Sequence, residues 1–89
     1  MPASILQLAV FPNPTTSSTS ISFSLPQSET VSLKIFDMNG RLINAVAEKV
    51  FAAGEHQLKW DATNVRAGIY ILKMQAGNYA ETKKVIVVR

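Results

Sequence analysis

A strict alternation of apolar and polar residues is the feature that most limits how this chain can fold. It occurs in "SISFSL", "VSLKIFD" and "HQLKW", at residues 20–25, 31–37 and 56–60. The apolar residues that alternate with polar ones in these segments are Ile21, Phe23, Leu25, Val31, Leu33, Ile35, Leu58 and Trp60. Successive side chains of a β-strand point to opposite faces of its sheet, so each segment predicts a strand with one face on a core and one in water. Antiparallel sheets are the usual setting for such half-buried strands.

Short turn sequences separate the apolar segments at the spacing of a β-sandwich. Asn39-Gly40 lies between two apolar runs and predicts a hairpin with a type I′ turn, while Gly77-Asn78 suits the positive φ angles of a second tight hairpin. With the N-terminal "ILQLAVF" included, the sequence predicts an all-β sandwich of about seven short antiparallel strands.

One segment is ambiguous between helix and strand. In "RLINAVAEKVFAAG", at residues 41–54, apolar pairs recur every four residues, and Gly54 could end a helix. The hairpin at Asn39-Gly40, however, needs a partner strand that begins at Arg41. We therefore expect a strand or a bent strand here.

Composition and charge exclude several classes of function. The chain has 89 residues, enough for one small domain, and no cysteine, which excludes disulfides, thiolate zinc sites and cysteine nucleophiles. Its net charge of +3 is spread along the sequence rather than gathered on a basic face with stacking aromatics, which argues against a nucleic-acid partner. No apolar run is long enough for an integral membrane segment, and "MPASILQLAVF" is unlike a signal peptide.

Groups with catalytic or metal-binding chemistry are few. The single histidine, His56, lies on a predicted strand without a nucleophile motif, so we expect neither catalytic residues nor enzyme activity. Asp37 and Asn39 lack the remaining ligands of a calcium loop, and the polar residues at 61–64 fit Asx-type turns better than an oxygen site. We expect no metal and no cofactor.

Three aromatic residues leave a binding function open. Trp60, Tyr70 and Tyr79 could form a platform for a sugar, although the alternation with Leu58 favours a core position for Trp60. The alternative function is therefore an accessory carbohydrate- or surface-binding module.

The sequence "FPNP" at residues 11–14 constrains the chain before the strand that starts near Ser20. Proline in the middle position blocks glycosylation of Asn13, so the role of the segment is conformational. Each proline fixes its own φ, and Pro14 pushes Asn13 towards an extended geometry. We expect a stiff segment that turns the chain onto a sheet edge without pairing further.

Taken in order, these segments resemble a known family. "FPNP", "ISFSLPQSETVSLKIFDMNGRLI", "AAGEHQLKWDATNVRAGIYILKMQAG" and "KKVIVVR" are similar to the type A C-terminal sorting domain of the type IX (Por) secretion system. The resemblance extends from Phe11 to Arg89. Single pieces are weak signals, but their common order and spacing are specific.

The resemblance implies a fold and a route. It implies an immunoglobulin-like β-sandwich, placed last in a secreted protein of Bacteroidetes-like bacteria. A signal peptide would take the N-terminal cargo to the periplasm, and the outer-membrane translocon would then recognise this non-catalytic domain. A sortase-like surface protease would commonly remove it, leaving the cargo on the cell surface or outside the cell.

The resemblance also implies domain bounds. Residues 1–10 would be an N-terminal strand or the end of the linker to the passenger, and residues 11–89 the sorting domain. Because the chain starts with Met1 and not with a passenger, we expect the cleavage junction to be missing or only partly present in residues 1–10.

The family's recurring positions supply the candidate site residues. The sorting or recognition candidates are Asn13, Pro14, Asp37, Gly40, Arg41, Gly68, Tyr70, Lys83, Lys84 and Arg89. Of the other recurring positions, Gly54 is expected to serve a turn and Trp60 the core. Gly68 is expected to permit a close backbone approach or a bulge at the start of a central strand. Charge and exposure make Arg41, Lys84 and the final "VIVVR" the better candidates for contact with the machinery, although Arg41 in a hairpin can equally be a solvated side chain.

Overall fold

Seven β-strands in two sheets form the fold in the computed structural model, which describes residues 6–88, with side chains from residue 8 onward. The strands are β1 (Leu6–Phe11), β2 (Ser18–Leu25), β3 (Glu29–Asp37), β4 (Leu42–Phe51), β5 (Gly54–Asp61), β6 (Gly68–Ala76) and β7 (Tyr79–Val87). All neighbouring strands pair antiparallel. The predicted immunoglobulin-like sandwich of about seven strands is confirmed.

The strands divide three and four between the sheets. One sheet has the order β1-β2-β5 and the other the order β4-β3-β6-β7. In constant-type immunoglobulin domains the fourth strand joins the sheet of the first two strands. Here it pairs with β3 instead, which gives the second sheet four strands and leaves β4 and β7 as its edges.

The core lies between the two inner faces, where the alternating apolar residues meet. The fully buried side chains include those of Ile21, Phe23, Val31, Leu33, Ile35, Trp60, Leu72, Met74, Val85 and Val87. On β2 every second residue is buried, as the alternation predicted. Trp60 is 1% exposed and lies in this core.

The ambiguous segment is a strand, which confirms the preferred interpretation. Its pairing with β3 is irregular, however, and steps over Ile43 and Val46 on β4. Such β-bulges insert an extra residue and shift the side-chain alternation. Both residues pack against the core. Two bulges three residues apart therefore account for the helix-like spacing of the apolar residues in this segment.

The β3–β4 hairpin is confirmed, but the predicted type I′ turn is wrong. The Gly40 N–H donates to the Asp37 carbonyl at 3.1 Å, so Met38 and Asn39 occupy the centre of the turn. Gly40 follows with φ of 84°, the left-handed conformation that closes a three-residue hairpin loop. The second predicted hairpin is confirmed: Ala76 pairs with Tyr79 across two loop residues, and Gly77 has φ of 58°.

All the odd-numbered strands end, and all the even-numbered strands begin, at one end of the sandwich. We call it the PNP end, because residues 12–14 lie there. Contacts at this end join the two sheets; among them, the ring centroids of Trp60 and Tyr70 are 5.7 Å apart, and Thr15 bridges to Val87. β1 begins at Leu6, at the opposite end, and extends past the boundary predicted after residue 10. Residues 1–5 of the predicted N-terminal segment lie outside the described part of the chain.

Candidate functional site

The side chain of Asn13 is hydrogen bonded to the outer edge of the last strand. Its Nδ2 donates to the carbonyl of Lys84 at 2.7 Å, and the N–H of Ile86 donates to its Oδ1 at 2.9 Å. A carboxamide presents an N–H donor and a carbonyl acceptor side by side, as the edge of a β-strand does. Asn13 thus occupies the position that a neighbouring strand would take beside β7.

Thr15 continues this pairing with its backbone. The N–H of Thr15 donates to the carbonyl of Ile86 at 2.8 Å, and the N–H of Val88 donates to the carbonyl of Thr15, also at 2.8 Å. The resulting bridge between Thr15 and Val87 is parallel. We call residues 12–15 on the edge of residues 84–88 the clasp. The expectation that the "PNP" segment turns onto a sheet edge without pairing further is therefore wrong.

The hydroxyls of two buried threonines, Thr15 in the clasp and Thr19 on β2, connect the clasp to β2. The Thr15 hydroxyl donates to the carbonyl of Ser18 at 2.6 Å, and the Thr19 hydroxyl donates to the carbonyl of Pro12 at 2.9 Å. Each threonine is 2% exposed. The peptide bonds before Pro12 and Pro14 are both cis. Since proline has no N–H, neither residue adds a backbone donor that would need a partner in this tight segment.

A second group of candidates forms the β3–β4 hairpin. The carboxylate of Asp37 accepts hydrogen bonds from the N–H groups of Asn39 and Arg41, both at 2.9 Å through Oδ1. This fixes the loop and leaves the Arg41 side chain exposed. Behind the hairpin is a groove of about 580 Å³, whose lining includes Asp37, Arg41, Arg66 and Tyr70.

Tyr70 has a structural position that the sequence did not reveal. It is 7% exposed, packs edge to face on Trp60, and donates its hydroxyl to the carbonyl of Arg66 at 2.6 Å. A tyrosine near the start of the sixth strand that bonds back to the upstream backbone is the tyrosine corner of immunoglobulin-like sandwiches. The signal in the sequence was the tyrosine two residues into "GIYILKMQA". Because Trp60 and Tyr70 are buried, these two rings do not form the exposed platform considered for a sugar.

The glycine candidates lie at both ends of the sandwich. Gly68 begins β6 with φ of 156°, yet a Cβ there would have no heavy atom within 4 Å. The close backbone approach expected at Gly68 is therefore wrong, and its backbone conformation is what favours glycine. Gly54 begins β5 at the opposite end, across from Leu25.

The basic candidates differ in their surroundings. The ammonium of Lys83 lies 3.8 Å from the carboxylate of Glu81. Lys84 contributes its carbonyl to the clasp, and its side chain is exposed. Arg89 lies outside the described residues. The structure thus brings Asn13, Pro14 and Lys84 together in the clasp, and Asp37, Gly40, Arg41 and Tyr70 around the neighbouring hairpin and groove.

His56 and Asp61 have local partners. The His56 ring lies at the opposite end, with Nε2 2.7 Å from the Ala52 carbonyl and its centroid 5.5 Å from that of Phe23 and 5.0 Å from that of Phe51. The hydroxyl and N–H of Thr63 both bond to Asp61, and together they lower the pKa of that carboxyl. This confirms the predicted Asx-type turn.

Within residues 6–88, no group of three or more histidine, aspartate or glutamate side chains is placed to hold a metal ion. The same part of the chain contains no helix with the length and apolarity needed to cross a bilayer.

Comparison with known proteins adds one finding. The family model of the secretion system C-terminal sorting domain matches residues 9–88. The matched range includes the clasp, the β3–β4 hairpin and six complete strands. No curated protein matches the sequence.

Proposed function

This chain belongs to the family of type IX secretion system C-terminal sorting domains, and from that membership we propose that it directs an N-terminal cargo through the outer-membrane translocon to the cell surface. A sorting-signal role, with export to the surface or beyond, follows from the family. The domain acts by being bound. In this proposal it makes and breaks no covalent bond itself.

The observation that carries the proposal is the match over residues 9–88, which covers the sandwich together with its clasp. The position of the candidate residues supports it. Asn13, Lys84, Asp37 and Arg41 lie at the PNP end, on turns and a strand edge that are exposed or partly exposed. β1 begins at the opposite end, so a cargo joined ahead of it leaves the PNP end open to the translocon.

The hairpin and the basic residues are the parts that we propose the machinery contacts. Arg41 is exposed, and no carboxylate of the described residues lies within ion-pair distance of it. Asp37 fixes the loop that presents this guanidinium. An arginine can donate several hydrogen bonds in a fixed plane, which suits recognition of a carboxylate or a phosphate.

Other candidates support the fold, and their loss would affect recognition indirectly. Tyr70 and Trp60 are buried against each other, and Gly68 begins a central strand. We further propose that a sortase-like surface protease removes the domain by cutting ahead of β1, in the linker that joins the domain to the cargo.

A fusion experiment tests the proposal. Residues 1–89 are joined to a fluorescent reporter that carries a periplasmic signal peptide, in a bacterium with an active type IX system. We expect the reporter on the cell surface, as measured by protease accessibility in intact cells, and in the periplasm of a translocon-deficient strain. A folded fusion that stays in the periplasm of the competent strain would refute the proposal.

A matched pair of substitutions tests the proposed contact. Arg41→Ala removes an exposed guanidinium without touching the backbone bonds of the hairpin, and Lys59→Ala removes an exposed cation from the outer face of β5. We expect Arg41→Ala to reduce surface delivery and Lys59→Ala to leave it unchanged, with equal thermal stability. Equal export of both variants would exclude Arg41 as a contact residue.

A further inference from the structure

The two outer faces of the sandwich differ in character. On the three-stranded sheet, β2 turns four serines outward, and Gln57 and Lys59 face the solvent from β5. On the four-stranded sheet, Leu42, Phe36 and Ile71 stand side by side near the PNP end. The polar residues on the three-stranded sheet are those expected of a face that contacts only water. The outer face of the four-stranded sheet leaves Leu42 exposed and Phe36 and Ile71 only half-buried in the folded domain.

The exposed apolar side chains at this second face lie near the PNP end, apart from Val50 at the far end of β4, which is 65% exposed. Leu42 is 50% exposed, Met38 in the adjoining turn 64%, and Ile69 on β6 40%. A shallow groove of about 360 Å³ runs between Phe36, Met38 and Ile71. We call Leu42, Phe36 and Ile71 the outer apolar row. Contiguous apolar surface of this kind marks interaction sites more often than isolated exposed residues do.

Lysines flank the outer apolar row. Lys34 and Lys73 are directly opposite each other on β3 and β6, and Lys84 is opposite Ile71. Like charges in directly paired positions destabilise a sheet. Glu48 lies 3.5 Å from Lys34, but within residues 6–88 neither Lys73 nor Lys84 has a carboxylate at ion-pair distance. The repulsion at this face would be relieved by carboxylates supplied from outside.

We infer that the outer apolar row and its lysines form a docking surface for a protein that presents apolar side chains flanked by carboxylates. The inference rests on the proposed function, since the partner would be a component that meets the domain during secretion. It identifies a second surface besides the hairpin and gives the chemistry of its partner. An apolar contact with a basic border supplies both affinity and orientation, because charge complementarity fixes the register of docking.

Two double charge reversals of equal size test the docking surface. Lys73→Glu with Lys84→Glu reverses the border of the outer apolar row, and Lys49→Glu with Lys59→Glu makes the same charge change elsewhere on the surface. We expect the first variant to lower surface delivery of the reporter by about tenfold or more, because like charges then oppose the partner's carboxylates. The second should be exported like the wild type. Thermal unfolding of both purified variants controls for folding.

A photo-crosslinker distinguishes the kind of partner. With benzoylphenylalanine at Ile71, we expect a protein adduct in intact cells that disappears in the Lys73→Glu, Lys84→Glu background; the same group at Ser22, on the other outer face, should give none. No adduct at Ile71, or an adduct unaffected by the charge reversal, overturns the inference. Lysine-dependent binding to phosphatidylethanolamine–phosphatidylglycerol vesicles without a protein adduct also overturns it, in favour of a lipid surface.

These experiments distinguish failure of the proposed sorting function from failure of the proposed docking surface. If the wild-type fusion stays in the periplasm, the proposed sorting function fails. If the wild type is exported and the Lys73→Glu, Lys84→Glu variant is exported equally well, the sorting function stands and the docking surface is refuted. Equal loss of export in both charge variants also refutes it, because the effect is then one of net charge.

Discussion

Replacing Asn13 by alanine tests whether the clasp stabilises the last strand. The change removes the bond from Nδ2 to the Lys84 carbonyl and the bond from the Ile86 N–H to Oδ1, at 2.7 and 2.9 Å. It leaves the two backbone bonds between Thr15 and the edge of β7 in place. The perturbation is therefore confined to one half of the clasp.

The expected loss of stability is modest because the lost bonds are exposed to solvent. A typical intramolecular hydrogen bond contributes about 0.5–1.5 kcal/mol net, and two such bonds at an exposed edge should contribute about 1–2 kcal/mol together. Water can solvate the Lys84 carbonyl and the Ile86 N–H after the substitution, so no buried group is left without a partner. With a urea m-value of about 1 kcal/mol/M, the midpoint should fall by about 1–2 M.

Hydrogen exchange gives the more specific measurement. The N–H and carbonyl groups of successive strand residues point to alternate sides, so the Ile86 N–H faces the clasp while those of Val85 and Val87 face β6. In Asn13→Ala we expect the protection factor of the Ile86 amide to fall by about tenfold or more. The protection factors of Val85 and Val87 should fall only by the amount that corresponds to the change in the global free energy of unfolding.

A control substitution on β4 shows whether the effect of Asn13→Ala is specific to the clasp. Asn44→Ala removes an exposed asparagine of β4 that has no side-chain hydrogen bond in the described structure, and it should change stability by no more than about 0.5 kcal/mol. If Asn13→Ala has an equally small effect, the side-chain bonds do not stabilise the fold. If Ile86 keeps its protection relative to Val85, the amide has another partner and the clasp geometry is wrong.

Three further predictions concern the hairpin, the tyrosine corner and the Asx turn. Gly40→Ala should destabilise the domain by about 1 kcal/mol in a thermal melt, because φ of 84° is strained for alanine although its Cβ would have open space. An unchanged melting temperature would exclude this conformation of residue 40. Tyr70→Phe should destabilise the domain by about 1–2 kcal/mol through loss of the hydrogen bond to the Arg66 carbonyl, and the variant should still be exported. Loss of export with unchanged stability would instead show that the hydroxyl is a recognition group. Since hydrogen bonding lowers the pKa of Asp61, its stabilising effect is present above the unfolded-state pKa and is lost as pH falls through the folded value. Thr63→Ala should raise the pKa of Asp61 in an NMR titration, and an unchanged pKa would contradict the assigned cause.

The sheet structure could be predicted because it depends on local alternation. β2 and β3 follow a period of two throughout their buried centres, and the hairpin turns have glycines at the required positions. The bulges at Ile43 and Val46 were not predictable, since an extra residue in one strand is defined only by the strand opposite. The same reasoning explains the displaced turn at Asp37, where a side-chain acceptor selects one of two loops that Asn39-Gly40 permits.

The clasp could not be predicted from the sequence for a different reason. The local pattern "PNP" indicates a stiff segment, but the partners of Asn13 are 71 and 73 residues away. The burial of Tyr70 could not be predicted either, because a tyrosine in a strand can face the core or the solvent. The family resemblance identified both positions but placed them among the sorting or recognition candidates, whereas the structure gives Asn13 a bond to β7 and buries Tyr70 in the core.

The sequence separation in the clasp has a consequence for synthesis of the chain. Ribosomes make proteins from the N-terminus, so Asn13 and Thr15 emerge long before the strand that they bind. The Val88 N–H that bonds to Thr15 becomes available only after nearly the whole sequence has been translated. A nascent chain interrupted before β7 cannot form the clasp, and its core lacks Val85 and Val87. The PNP end therefore takes its final form only in chains that have been translated through β7.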